Sequence, residues 1–511
     1  MKHRLALKDS KWRDAAVFLP ILVLSSVYLA RNALAVLDFF DMSAFMDAGY
    51  RIARGQAPYT DFFYSAGPLH PLMHAIYFKL FGFTKTAIQA HLLTVNALAL
   101  TMTFVIARRR LPLWQAGLVT VLGSFCFYGP VSHPWYDQNA AVFVIFAVLA
   151  CELLRTSKNE LVKAALAFAA GGAVTAAFMV KANFGASAAC VLLVVLLVSR
   201  VRPSLVAVYL LGCVVVLGVV LLALKSPAEY YYQTFVAFPT RGRMGDIRRI
   251  MSVSVRTPYT MLLLALFGAV PALGLKFFRK NIELFTLLAG LLAISIFTSW
   301  TGSMLVSNNL CLLALEMAYC FALINLLKRK RLQGAMLVGL TIALTALFTV
   351  ESVYKTVNTK VWSWRRPVVL RDYALKTEAF RGWRCDRRIG EGLDAAVDFI
   401  SHNVGAGESL FVYPDATVIY GLTGHESYRN APFIFHLGMV PAPGRILEKF
   451  RKDLFAAPPA WIVIHDQTEV SFIDTKAMTS WLQLGEFFEN NYRQVWTSNP
   501  FRVLKRLRAS K

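Results

Sequence analysis

Long apolar stretches alternate with short polar joints from Phe18 to Val350, and each stretch is about as long as a helix needs to be to cross a bilayer. The pattern predicts eleven spans, at 16–36, 87–107, 112–130, 138–154, 161–180, 184–199, 203–224, 259–275, 282–299, 310–327 and 334–351. The first is read as a retained span rather than a cleaved signal, because its small-residue cleavage pattern is poor and many more spans follow. The expected fold is a polytopic α-helical membrane domain, 1–351, followed by an α/β domain at 352–511. Three joints are long or polar enough to carry function: 37–86, 130–138 and 225–258.

In the tail the pattern changes. "SLFVYP" (409–414) and "AWIVIHD" (460–466) read as buried strands, "DATVIYGLTG" (415–424) as a helix or half-turn, and the segment after 478 as a helix with one or two strands. Strands alternating with helical segments favour a small α/β domain. A dinucleotide-binding role is not supported, since "NVGAGESL" lacks the glycine spacing and the preceding strand.

Composition agrees with the membrane reading: 57% of the 511 residues are hydrophobic and 16% charged. The net charge of +24 would suit nucleic acid, but much of it lies on short joints such as "ARRR" (107–110) and "KRKR" (328–331). These joints fall on one side of the membrane if the N-terminus is cytoplasmic, so topology accounts for them and no nucleic-acid partner is inferred. An odd number of spans then puts everything after Glu351 outside, periplasmic or extracellular in a bacterial inner membrane. Six of the seven cysteines lie in or beside spans, only Cys385 lies in the tail, and no CxxC pair exists.

Against this background the acidic residues just after the first span, Asp38, Asp41, Asp47 and Asp61, stand out. Asp38 and Asp41 are three apart and share a face if 37–50 is helical, with Phe45 and Met46 available to lipid or to neighbouring spans. A carboxylate there can act as a general base or bind a divalent ion; equally, it can cap a helix or solvate a loop. In "PYTDFFYSAGPLHP", Tyr59, Asp61, Tyr64 and His70 offer hydroxyl, carboxylate and imidazole groups within a tightly turned loop. Asp61 suits orienting Tyr59 or a sugar hydroxyl or helping to hold a metal, and suits equally a tightly folded structural loop. A second joint carries His133, Trp135, Tyr136 and Asp137, and "MVKANFG" carries Lys181 and Asn183 at the end of an apolar run. An ionisable group in that position needs a partner, water, or a route to the interface, and Lys181 suits a lipid phosphate. Arg241 and Arg243, beside Gly242 and Gly245, suit a phosphate as well. Glu316 sits inside an apolar run, where it needs pairing, with Lys181 as one partner to consider.

The "DFFD" pair, the "GQAPYTDFFYSAGP" loop at 55–68, the many spans and the tail resemble the GT-C glycosyltransferase superfamily. Its families 39 and 83 include the protein mannosyltransferases and the lipid A aminoarabinose transferase. The resemblance implies an inverting transfer of sugar from a polyprenyl-phosphate donor to a lipid, glycan or protein acceptor on the exported face. It makes Asp41 the nearer match to the catalytic carboxylate, with Asp38 beside it. Tyr59, Asp61, Tyr64, His70, His133, Tyr136, Asp137, Lys181, Asn183, Arg241 and Arg243 become substrate-contact candidates. A divalent cation, magnesium or manganese, would use Asp38 and Asp137; no nucleotide cofactor is implied. The rival readings are a flippase or transporter of lipid-linked sugar, which repeated half-helices would favour, a polysaccharide ligase or polymerase, and a structural scaffold.

The basic joints generate a topological prediction. Cysteines introduced in 352–511 should react with a membrane-impermeant thiol reagent added from the exported face, whereas those at 328–331 should not. Labelling of the opposite sidedness removes the proposed orientation.

Overall fold

Where apolar residues continue through successive turns, the backbone satisfies its own hydrogen bonds as helix, which is what an apolar surrounding requires. The computed structural model describes residues 2–33, 41–128, 133–237, 275–301, 310–327, 372–429, 445–466 and 483–507. Its helices begin with α1 (Lys2–Ala33), α2 (Asp41–Ala53), α3 (Leu69–Phe81), α4 (Lys85–Arg110) and α5 (Leu113–Cys126). They continue as α6 (Tyr136–Thr156), α7 (Glu160–Val180), α8 (Ala182–Val198) and α9 (Pro203–Ala223), then Ile282–Thr301 and Leu313–Leu327. Five described stretches are long and apolar enough to cross a membrane: Lys11–Arg31, α4, α6, α7 and α9. Four shorter apolar helices accompany them, and the spans expected at 334–351 and over nearly all of 259–275 lie outside the described residues.

The chain forms two compact units. The first comprises Met1–Arg31, Leu92–Val220 and Met244–Val361. Its helices approach through small residues: a Cβ added to Gly171 would lie 1.9 Å from the Tyr209 carbonyl oxygen, and one on Gly212 2.2 Å from that of Phe168. Backbones of α7 and α9 therefore meet directly, the packing that apolar solvent favours because no hydrophobic force draws helices together there. At the ends of α4 and α6, Arg110 donates to Glu152 at 2.5 Å, Tyr319 donates to the same carboxylate oxygen at 2.9 Å, and Arg155 pairs with Glu283. Arg108 likewise donates to Asp14 at 2.8 Å. Two arginines of the "ARRR" joint are thus structural ties.

The second unit comprises Asn32–His91, Leu221–Arg243 and Trp362–Lys511. It is built on a four-stranded sheet ordered β3-β4-β6-β5, with a two-stranded ribbon of β1 (Tyr373–Ala374) and β2 (Arg384–Cys385). The sheet strands are β3 (Leu410–Tyr413), β4 (Trp461–His465), β5 (Tyr492–Ser498) and β6 (Phe501–Arg506). Among the described strands only β3 and β4 run parallel. Side chains alternate between the two sheet faces. Val412, Val463 and Val503 enter one core with the amphipathic helix Arg387–Asn403, while Phe411, Ile462 and Leu504 enter another with Phe450 and Phe487.

The first core also contains Met42, Met46 and Tyr50 of α2, Phe78 of α3, and Ala87 and Ile88 of α4. Met46 and Phe45 are 1% and 2% exposed, so of the two covers expected for them, lipid or neighbouring spans, the lipid one is corrected, and Met46 shares its core with Ala87 and Ile88 of α4. The apolar stripe of α2 at i, i+4 and i+8 is directed into protein. Close packing reinforces this placement, since a Cβ on Gly49 would lie 2.4 Å from the Cβ of His74.

Candidate functional site

The sequence puts Ser43, Asp47 and Arg51 four residues apart, so they form a second stripe along α2. Each has a partner in the segment 417–428. Ser43 Oγ accepts the Val418 N–H at 2.8 Å, and the Ser427 hydroxyl donates to Asp47 Oδ1 at 2.5 Å. Arg51 donates through Nε to Asp47 Oδ2 and through Nη1 to the Tyr428 carbonyl, both at 2.8 Å. Gln56 extends the array, accepting from Arg51 and donating to the Ser427 carbonyl at 2.9 Å. The network is buried. Burial pushes the Asp47 carboxyl above its ordinary range, outweighing the pull of Arg51 and Ser427. A close ion pair therefore offsets only part of the desolvation of its acid.

Asp41 opens α2. Asp38 lies outside the described residues, as do Arg241 and Arg243. The loop after α2 is held by its own polar groups. Asp61 Oδ2 accepts the Ala57 N–H at 2.7 Å and lies 3.4 Å from Lys225 Nζ. The carboxylate thus closes a turn, in keeping with the structural-loop reading that stood equally beside a role toward Tyr59, a sugar hydroxyl or a metal. Tyr59, at a φ of 70°, donates its hydroxyl to the Ala66 carbonyl at 2.6 Å and is 3% exposed. Gln233 bridges this loop, donating to the Tyr59 carbonyl at 2.8 Å and accepting the Tyr64 N–H at 3.2 Å. Burial raises the Tyr59 and Tyr64 hydroxyls well above their ordinary values, so both stay neutral. His70 is buried edge-on against Phe45 and His74, and His74 is edge-on to His91, with centroids 4.6, 4.9 and 4.7 Å apart.

The second group of candidates lies in the first unit. Lys181, between α7 and α8, donates to Asp137 Oδ1, and its ammonium stands 4.5 Å from the centre of the Tyr136 ring. The Trp135 indole N–H donates to Asp137 Oδ2 at 3.2 Å. His133 packs edge-on to Trp135 with centroids 5.0 Å apart. Asn183 belongs to the first turn of α8, where its carbonyl accepts from Ser187 at 2.8 Å. Glu316 accepts from Ser295 at 2.6 Å. Among the described residues, the ionic partner of Lys181 is Asp137.

Of the expected metal pair, Asp38 and Asp137, only Asp137 lies among the described residues. Both Asp137 oxygens are engaged, and among the described residues no group of three or more His, Cys, Asp or Glu side chains is gathered. Sequence reasoning did not single out Arg51, Gln56, Gln233 or Ser427. The i, i+4 spacing of Asp47 and Arg51 was the one local signal available. Their tail partners lie some 380 positions away.

These features define a helical membrane protein whose first polar loop is folded onto a sheet-bearing tail. Among solved structures the chain is similar to ArnT of Cupriavidus metallidurans bound to undecaprenyl phosphate, with a TM-score of 0.56 and 13% identity over 97% of this chain and 99% of that one. The apo form of the same protein gives 0.53 and 14% over 96% and 98%. AglB of Archaeoglobus fulgidus, in complex with an inhibitory peptide and a dolichol-phosphate, gives 0.49 and 12% over 96% and 74%. No family model and no curated protein sequence matches. The ArnT likeness, spanning nearly the full length of both chains, shows that this chain has the fold of that protein.

The buried ions generate three predictions. Arg51→Met strands the Asp47 carboxylate and should remove about 3–5 kcal/mol of stability; an unfolding midpoint equal to wild type contradicts the network. For Asp47 itself the folded pKa is raised, so its contribution is full below the ordinary carboxylate range, near pH 4, and declines as the pH rises through the folded value. The difference in midpoint between wild type and Asp47→Asn should therefore move against wild type with rising pH, and a constant difference excludes the linkage. In the other unit, Lys181→Met and Asp137→Asn should each destabilise by more than the double variant does, since the double variant leaves no buried charge uncompensated. Additive losses in a thermal-unfolding cycle argue against a coupled pair.

Proposed function

We propose that this chain is an inverting glycosyltransferase using a polyprenyl-phosphate sugar on the exported face of a bacterial inner membrane, with its tail on that face. The observation that carries the reading is the fold, aligned over 97% of the chain with a structure described as ArnT bound to undecaprenyl phosphate. Support also comes from the opening of α2 by Asp41, directly after the first apolar helix, and from the fixing of α2 to the tail by buried hydrogen bonds.

In this mechanism the acceptor hydroxyl oxygen attacks the anomeric carbon while its proton passes to the Asp41 carboxylate. The bond from the anomeric carbon to the phosphate oxygen breaks, and its electron pair leaves with the polyprenyl phosphate. The developing negative charge is the main electrostatic demand. Arg241 and Arg243 are assigned to it. Asp38 lies beside the base. Tyr59, Tyr64 and His70 are assigned to shaping the loop rather than to proton transfer. The acceptor is a lipid, glycan or protein.

Asp41→Asn keeps the side-chain size but removes the base, so single-turnover sugar transfer should slow by roughly a hundredfold or more while donor binding persists. Asp41→Glu should recover little, because the longer side chain misplaces the carboxylate. Near-wild-type transfer by folded Asp41→Asn excludes Asp41 as the base, and a larger loss in Asp38→Asn moves the role to Asp38.

A further inference from the structure

A cavity of about 820 Å³ opens beyond the carboxyl ends of the parallel strands β3 and β4. That volume lies within the range of small-molecule sites, and the edge beyond parallel strand ends is where α/β sheets characteristically receive ligands. One side is aromatic: Tyr413, Phe488 and Tyr492 follow one another edge-to-face, with centroids 6.0 and 6.2 Å apart, each less than 9% exposed. Planar polar groups line the rest. The Arg502 guanidinium grips Asp466 through two hydrogen bonds of 2.6 Å, which fixes both groups at the rim. His465 is fixed by Asp415, 2.5 Å from its Nδ1, and by stacking on Phe501.

The charge of the lining runs against that of the chain. Asp466, Glu486 and Glu489 face a single guanidinium, that of Arg502, a balance of three negative charges to one positive in a protein of net charge +24. Among the described residues neither Glu486 nor Glu489 has an ion-pair partner. A phosphate is disfavoured there, because the guanidinium is already engaged and two carboxylates remain. A pyranose fits the chemistry instead: its C–H face lies on aromatic rings, and its neighbouring hydroxyls match carboxylate, carboxamide and guanidinium forks.

We propose that this cavity binds a neutral or amine-bearing oligosaccharide, the acceptor glycan of the transfer reaction. The assignment to the acceptor rests on the proposed function; binding itself does not. The test uses the full chain purified in detergent and measures binding of neutral oligosaccharides, amino-sugar oligosaccharides, their phosphorylated counterparts and an oligolysine peptide. A neutral or amino-sugar probe should saturate, and its phosphorylated form should bind at least tenfold more weakly. Glu486→Ala with Glu489→Ala, and separately Gln494→Ala on β5, should each weaken the bound sugar at least tenfold with an unchanged unfolding midpoint. Asp41→Asn should bind as wild type does.

Saturation by no sugar, equal binding by the variants, or tighter binding of the phosphorylated probe or of oligolysine overturns the site. Variant-sensitive sugar binding without transfer from any polyprenyl-phosphate donor keeps the site and removes the transfer reading. Transfer in which the variants leave the acceptor KM unchanged removes the site and keeps the transferase.

Discussion

The polar stripe Ser43, Asp47 and Arg51 is the constraint on which the arrangement of the second unit turns. An amphipathic helix after a membrane span ordinarily has one apolar face to bury and one polar face to hydrate. In α2 both are covered: Met42, Met46 and Tyr50 enter the core shared with the sheet, while the stripe is satisfied by Val418, Ser427 and Tyr428. A helix bound on two faces has little freedom to rotate or slide, because either movement would expose apolar surface or break buried hydrogen bonds. Arginine suits position 51 since its fork reaches Asp47, Gln56 and the Tyr428 carbonyl together, while its carbon lies 5.3 Å from the Phe62 ring centre. A lysine cannot make that set of bonds in one plane. The start of α2, where Asp41 stands, is therefore governed by residues at the far end of the sequence.

The same rule, that a buried ion requires a fixed partner, orders the first unit differently. Its helices are apolar nearly all round and carry little information about rotation or register. The Asp137 and Lys181 pair joins α6 to the junction of α7 and α8, and Glu152 gathers Arg110 and Tyr319. Such pairs contribute little net stability once desolvation is subtracted. What they supply is discrimination, because a register shift would leave a charge alone in a medium that cannot solvate it.

How much of this was legible follows from the range of each interaction. Helices at α4, α6, α7 and α9, and strands at 410–413 and 461–465, follow from local hydrophobic period and were read within a few residues. The need of Lys181 for a partner was also legible, because isolated charge in an apolar run is costly. Its partner was not, since Glu316 and Asp137 are equally acidic on paper. Asp61 read equally as a chemical group and as part of a structural turn, because the loop is rich in both signals; its nearest demand is the Ala57 N–H four residues away. Phe45 and Met46 were read as available to lipid or to neighbouring spans because a hydrophobic stripe does not say which apolar surface will cover it. Phe45 is covered by His70 of the next helix, while the core around Met46 includes residues more than 300 positions later, beyond any local pattern.

Under the proposed function, charge also sorts the two substrates. The donor carries a phosphate, and the chain has 54 basic residues against 30 acidic ones, with Arg241 and Arg243 in a joint long enough to escape the usual topological bias. An acceptor glycan without phosphate gains nothing from that field and requires shape and directed hydrogen bonds, which the rigid edge of a sheet supplies more accurately than a loop does. The acidic lining beyond β3 and β4 then acts in two ways: it accepts hydroxyl and ammonium donors, and it repels the phosphate of the donor. Discrimination of this kind needs no close contact with the reacting carbon. It needs a cavity whose local charge opposes that of the protein around it, on an element stiff enough to hold that charge in place.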